Sequence, residues 1–146
     1  MRRSHADSGS AVLEFLIIGG LVLVPLLYAV LTIMRIEAAA MASTQAVREA
    51  GRAFVMADSP SQGMRNAEAA ARLALADQGF ALPSSALEVT CEGGCLEPSS
   101  SAHVRLQWQV DLPWVPRTLG DHEVGYPISA ETQLRVDRYR SAMGDP

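Results

Sequence analysis

One acidic residue stands inside an otherwise apolar run. Glu14 lies near the start of the stretch Ala11 to Met34, and a small pair, Gly9-Ser10, comes just before it. A carboxylate at the centre of a membrane helix costs about 2.5–3.5 kcal/mol on insertion scales, so its presence asks for a reason. Two chemistries would supply one. Glu14 could lie near the cytoplasmic edge and reach the lipid headgroups without a partner. Alternatively it could pair with a positive charge inside an assembly. If a peptidase cuts after Gly9, the new amine on Ser10 lies one helical turn from Glu14, and in a packed array it could reach Glu14 of a neighbour. Such pairing offsets two burial costs together.

The remaining reactive side chains are few. Cys91-Glu92-Gly93-Gly94-Cys95 places two thiols around a tight glycine turn. A structural disulfide is the first reading, closing a very short loop worth about 2 kcal/mol in the chain-entropy model. Free thiols, or metal or redox work, are the alternatives. The spacing is not Cys-x-x-Cys, and only His103 and His122 would remain as further ligands beyond the apolar run. His103 opens a strand on its polar face, and His122 lies in a loop between Asp121 and Glu123. No Gly-x-Ser-x-Gly, His-Glu-x-x-His or glycine-rich phosphate loop occurs. All 12 basic residues are arginine, which removes Schiff-base and lysine-nucleophile chemistry. The net charge is −4 and no basic cluster is present, which excludes the usual nucleic-acid footprint. A non-enzymatic chain without catalytic residues, metal or cofactor is expected.

The elements that position these residues follow from periodicity. The apolar run exceeds the roughly 20 residues that cross a bilayer, and it is apolar all round. Arg2 and Arg3, opposed only by Asp7, favour a cytoplasmic N-terminus and an extracytoplasmic remainder. The cysteine pair suits an oxidising compartment. Strong helix formers continue past the apolar run, and Val47, Ala50 and Phe54 repeat at helical spacing. One long helix is therefore expected over about 11–56, kinked at Pro25. Ser59-Pro60-Ser61-Gln62 reads as a helix start. A second helix over about 60–78 would carry Met64, Ala67, Ala71, Leu75 and Gln78 on one stripe and stop at Gly79.

After Pro83 the period becomes two. Leu87, Val89 and Cys91 alternate with polar residues. So do Val104, Leu106, Trp108, Val110 and Leu112, and then Ile128, Ala130, Thr132, Leu134 and Val136. The fold class is thus α+β, with a small antiparallel sheet of about three strands covered on one face by helix. Trp108 reads as core rather than a ligand platform. Trp114 and Tyr126 fall in a long proline-bounded loop, where exposed aromatics could anchor an interface. The expected organisation is a leader over 1–9, a membrane helix over 10–34, and its outward extension over 35–58. A second helix over 59–80, a sheet domain over 81–140 and a tail over 141–146 follow.

The N-terminal pattern resembles the type III signal of prepilin-like proteins: a short basic leader, Gly9 before the cut, Ser10 first, Glu14 fifth and Phe15 sixth, then an unbroken apolar helix. The whole layout is similar to the TadE/TadF family of minor pseudopilins of the tight-adherence (Flp) pilus system. Ala-Val-Leu-Glu-Phe opening the helix is very like that family's start. Major Flp pilins are much shorter and carry Glu-Tyr where this chain has Glu14-Phe15, so the resemblance points to a minor component. It implies processing between Gly9 and Ser10 by a prepilin peptidase, and an assembly and recognition role for Glu14 and Phe15. It implies other pilins or pseudopilins and the inner-membrane assembly platform as partners, besides the lipid bilayer. Two rivals remain. One is an uncleaved signal-anchored binding domain. The other is a secreted protein released at Ala38-Ala39-Ala40, which Glu14, Pro25 and the length of the apolar run weaken.

Overall fold

The computed structural model describes residues 7–113, 118–119, 122–123 and 125–138, with side chains from residue 11 onward except at 118–119 and 122–123. The fold is α+β. Helix α1 runs Asp7–Val55 and α2 runs Pro60–Ala76, followed by strands β1 (Leu87–Glu92), β2 (Ser101–Val110), β3 (Thr118–Leu119), β4 (His122–Glu123) and β5 (Tyr126–Arg135). Two compact units partition the chain, Met1–Arg35 and Ile36–Pro146.

Within the second unit the sheet has the order β1-β2-β5 and is antiparallel throughout. Its register stacks the alternating apolar residues on one face: Leu87 opposite Leu106, Val89 opposite Val104, Leu106 opposite Ala130, and Trp108 opposite Ile128. Each such pair brings two apolar side chains within contact across the strands. The outer half of α1 covers this face with a stripe of mostly small residues, Ala39, Ala42, Ser43, Ala46, Val47, Ala50 and Phe54, all buried. Their spacing of three and four is the interior stripe of an amphipathic helix. Gly51 belongs to the same stripe. A Cβ there would meet the Leu134 side chain and lie 3.5 Å from Val104 Cγ2.

Ser59 caps α2, its Oγ accepting from the Gln62 amide at 3.3 Å. The helix ends at Ala76, two residues before the expected 78. Gly79 has φ +76°. The Gly79 amide donates to Ala76 O, and the Phe80 amide to Leu75 O at 3.0 Å. These are the paired bonds of a glycine C-terminal stop, and Phe80 packs back with Leu75 in the core.

The expected α2 stripe is displaced. Gly63, Ala67, Ala71, Ala74 and Leu75 are buried, whereas Met64 is 42% exposed and Gln78 is exposed. The cause is the Phe54 ring. A Cβ at Gly63 would lie 2.9 Å from Phe54 Cδ2 and 3.1 Å from Phe54 O, so α2 turns its glycine, not its methionine, toward α1.

Strand limits also move. β2 starts at Ser101 and ends at Val110, leaving Leu112 outside, and β5 already begins at Tyr126. The expected loop therefore loses Tyr126-Pro127 to the sheet, where Tyr126 pairs with Val110. It also contains the short β3–β4 pair, which includes His122. Trp114 and the tail over 141–146 lie outside the described residues.

Candidate functional site

Glu14 and Phe15 lie within α1, and both are exposed. Gly9 and Ser10 belong to the same helix, which begins at Asp7 rather than near Ala11. Positions 10 and 14 are four apart, so they fall on one helix face. The Gly9–Ser10 bond itself lies in the helix's first turns. None of the most apolar window of α1 is buried by the chain. Val12, Leu13, Leu16, Ile17, Leu21 and Val24 are each more than half exposed. Exposure on every side suits a lipid or protein environment around the helix, not water. The helix is long and apolar enough to cross a membrane. Pro25 sits inside it and has no amide to donate, which frees a carbonyl one turn earlier.

In the second unit, Cys91 and Cys95 form a disulfide with Cα atoms 5.4 Å apart. Gly93 makes the turn between them with φ +84°. The loop then places Leu96 in the core at 9% exposure and returns through Ser100, whose carbonyl accepts from the Val136 amide at 2.9 Å. Cys91 ends the first strand's inward alternation, while Cys95 is exposed. The bridge therefore fastens the β1–β2 connection to the sheet. Among the described residues, no group of three His, Cys, Asp or Glu side chains could hold a metal ion.

Trp108 packs half-buried against the core, on the face its position in the alternation requires. Its ring meets Phe80 edge to face, with centroids 5.4 Å apart. Its indole Nε1 donates to Ser43 Oγ at 2.9 Å, and Ser43 Oγ donates to Ala39 O at 2.7 Å. Ser43 was not legible as a partner from the sequence. The one available signal was that it interrupts a stripe of alanines.

The other face of the sheet is polar. Arg105 bridges Glu131 at 3.2 Å across β2 and β5. His103 Nε2 lies 3.4 Å from Glu92 Oε2 but makes no hydrogen bond, so proximity alone relates them. These groups line an open surface with Glu88, Thr90 and Gln133 rather than an enclosed cleft. Nothing in it pairs a nucleophile with a base.

No protein-family model, curated protein or solved structure matches the chain.

Proposed function

We propose that this chain is a membrane-anchored, non-enzymatic minor pseudopilin acting in assembly or initiation of a tight-adherence pilus or a related secretion system. The observation that carries the reading is Glu14. It is the only acidic or basic residue between Ala11 and Met34, it is exposed, and it shares a helix face with position 10, directly after Gly9. A carboxylate so placed is stabilised if cleavage creates an amine at Ser10 and neighbouring helices bring the two charges together. Phe15 beside it is 76% exposed and offers an apolar contact to the same neighbour. In this reading the N-terminus is cytoplasmic, α1 is the assembly element, and the sheet domain faces outward with other pilins and the inner-membrane platform as partners.

A release cut after Ala40 fits poorly. It would remove Ala39, which is fully buried, and Ile36, which packs against the core. An uncleaved signal anchor is favoured by a different observation, the helical conformation of the Gly9–Ser10 bond. Proteases bind extended chain, so cleavage requires the first turns to open. Ser8, Gly9 and Ser10 are weak helix formers and make that opening inexpensive.

The intact mass of the mature protein separates the readings. A chain beginning at Ser10 in cells with an active prepilin peptidase is expected, and one that retains residues 1–9 there overturns the proposal. Glu14→Ala is expected to insert normally yet abolish pilus assembly. Unchanged piliation would leave Glu14 a headgroup-facing carboxylate.

A further inference from the structure

Helix covers one face of the three-stranded sheet, and among the described residues nothing covers the other. That bare face carries Glu88 and Glu92 on β1, Arg105 on β2, and Glu131 and Arg135 on β5, all exposed. Its three carboxylates outnumber its two arginines, and Arg105 is already engaged by Glu131 Oε2 at 3.2 Å. No side-chain hydrogen bond or ion pair within the described residues engages Glu88.

The back of the helix layer has the opposite sign. In α1 the buried stripe Ala39, Ala42, Ala46 and Ala50 faces the sheet. At about 100° per residue, Met41, Arg48 and Arg52 project to the side opposite that stripe. All three are exposed, Met41 at 76%. On α2, the exposed Arg65 likewise projects away from the buried Gly63, Ala67 and Ala71. Arg48, Arg52 and Arg65 have no side-chain partner within the described residues.

The two surfaces also match in height. Ser43 bonds Trp108 toward one end of the sheet, and Gly51 lies against Val104 and Leu134 toward the other. The outer half of α1 therefore runs over β2 and β5 in the direction of β5, and α2 lies against β1. Met41 stands near the level of Gln109 and Pro127, and Arg48 near that of Glu88, Arg105 and Glu131. Arg52 lies one helical turn higher, within an arginine's reach of Glu92.

We propose that copies of this chain stack head to tail, the helix back of one seated on the bare sheet face of the next. Translation along the sheet normal relates them, so every α1 points the same way and all copies enter one bilayer in one sense. Arg48 meets Glu131 on the oxygen that Arg105 leaves free, because a carboxylate accepts more than one donor. Arg52 and Arg65 meet Glu88 and Glu92, and Met41 covers Pro127. Exposed ion pairs are individually weak. Anchors in a shared bilayer raise the effective concentration of the two faces and pre-align them, so a weak contact suffices. Each copy keeps one face free for the next, so the contact propagates without closing. A helix layer and a sheet hold successive α1 axes about 20 Å apart, so an amine that meets Glu14 belongs to a different neighbour. The stack rests on α1 as a membrane anchor, and stands whether or not the chain belongs to a pilus.

The full chain reconstituted in lipid vesicles tests it, with a short bismaleimide that joins free thiols and leaves the Cys91–Cys95 disulfide intact. Gln45→Cys on the helix back and Gln107→Cys on the bare sheet face are each expected to stay monomeric alone. Mixing the two should give dimers, and the double variant should give a ladder of higher oligomers. In that double background, Arg48→Glu with Arg52→Glu should lower the ladder about five-fold or more, and so should Glu88→Arg with Glu92→Arg. An equimolar mixture of the two charge variants should restore it. Alkaline extraction of the same vesicles reads the anchor separately. Protein released by it overturns the anchor and the stack together, whereas retained protein without a ladder overturns the stack alone. Self-cross-linking of either single cysteine variant, as a two-fold contact would give, or a ladder indifferent to the charge changes would also overturn the stack.

Discussion

Ser43 satisfies both halves of its hydroxyl chemistry at the centre of the core, donating to Ala39 O and accepting from the Trp108 indole. Its side chain is fully buried, and the half-buried Trp108 reaches it from the sheet. Ser43→Ala removes the acceptor of the half-buried indole N–H, and a net hydrogen bond of this kind is worth about 0.5–1.5 kcal/mol. A denaturant titration should show that loss as a lower midpoint with unchanged slope. Trp108→Phe in the Ser43→Ala background removes the orphaned donor and should recover part of it. Trp108 was legible as core because it falls on the apolar phase of an alternating strand. Its partner was not, since nothing in a helix sequence says which residue of a distant strand will face it.

At the scale of elements, small residues govern how closely the pieces approach. Alanine at Gly63 would gain up to about 1 kcal/mol of helix propensity. It would also press its Cβ against the Phe54 ring and backbone, and overpacking of that kind costs about 1–3 kcal/mol. Gly63→Ala is therefore expected to destabilise, as read by thermal unfolding. Gly51→Ala should cost less, because the main obstacle is a movable Leu134 methyl rather than backbone. The disulfide acts at the same scale. Replacing Cys91 and Cys95 together by serine should cost about 2 kcal/mol, since the loop closed is short. Val136 would show the consequence locally, because its amide bonds to the Ser100 carbonyl at the end of the same loop. Faster hydrogen exchange at Val136 than at Leu106 in that variant is the expected signature. The turn at Gly79 was readable from residue type alone. The exposure of Met64 was not, because the stripe's phase depends on where Phe54 sits.

For the molecule as a whole, the two units differ in where their apolar groups lie. The first exposes leucine, isoleucine and valine around its whole circumference, whereas the second buries a core that includes Val47, Phe54, Leu75, Val104 and Leu106. Arginine at both Leu21 and Val22 would cost about 2.5–3.5 kcal/mol each near a bilayer centre. That variant is expected to leave the membrane fraction on alkaline extraction while the parent chain stays. The sheet domain should keep its near-ultraviolet signal from Trp108 and Phe80, because neither substituted residue belongs to its core.

Hydrophobic period by itself determined a helix long and apolar enough to cross a membrane, its outer amphipathic half, the second helix and the three-stranded antiparallel sheet. Each of those depends on residues a few positions apart, and short-range spacing is written directly in the chain. Residue chemistry likewise marked Glu14, Gly9 and Ser10, and the Cys91–Cys95 turn. Only the tertiary structure decided the rest: the Ser43–Trp108 bond, the rotation of α2 onto Gly63, the Arg105–Glu131 pair, and the strand order that leaves β5 at the sheet's edge among the described residues. These join residues from separate elements, and their partners are chosen by which surfaces can approach, a choice that steric fit makes after the elements have formed.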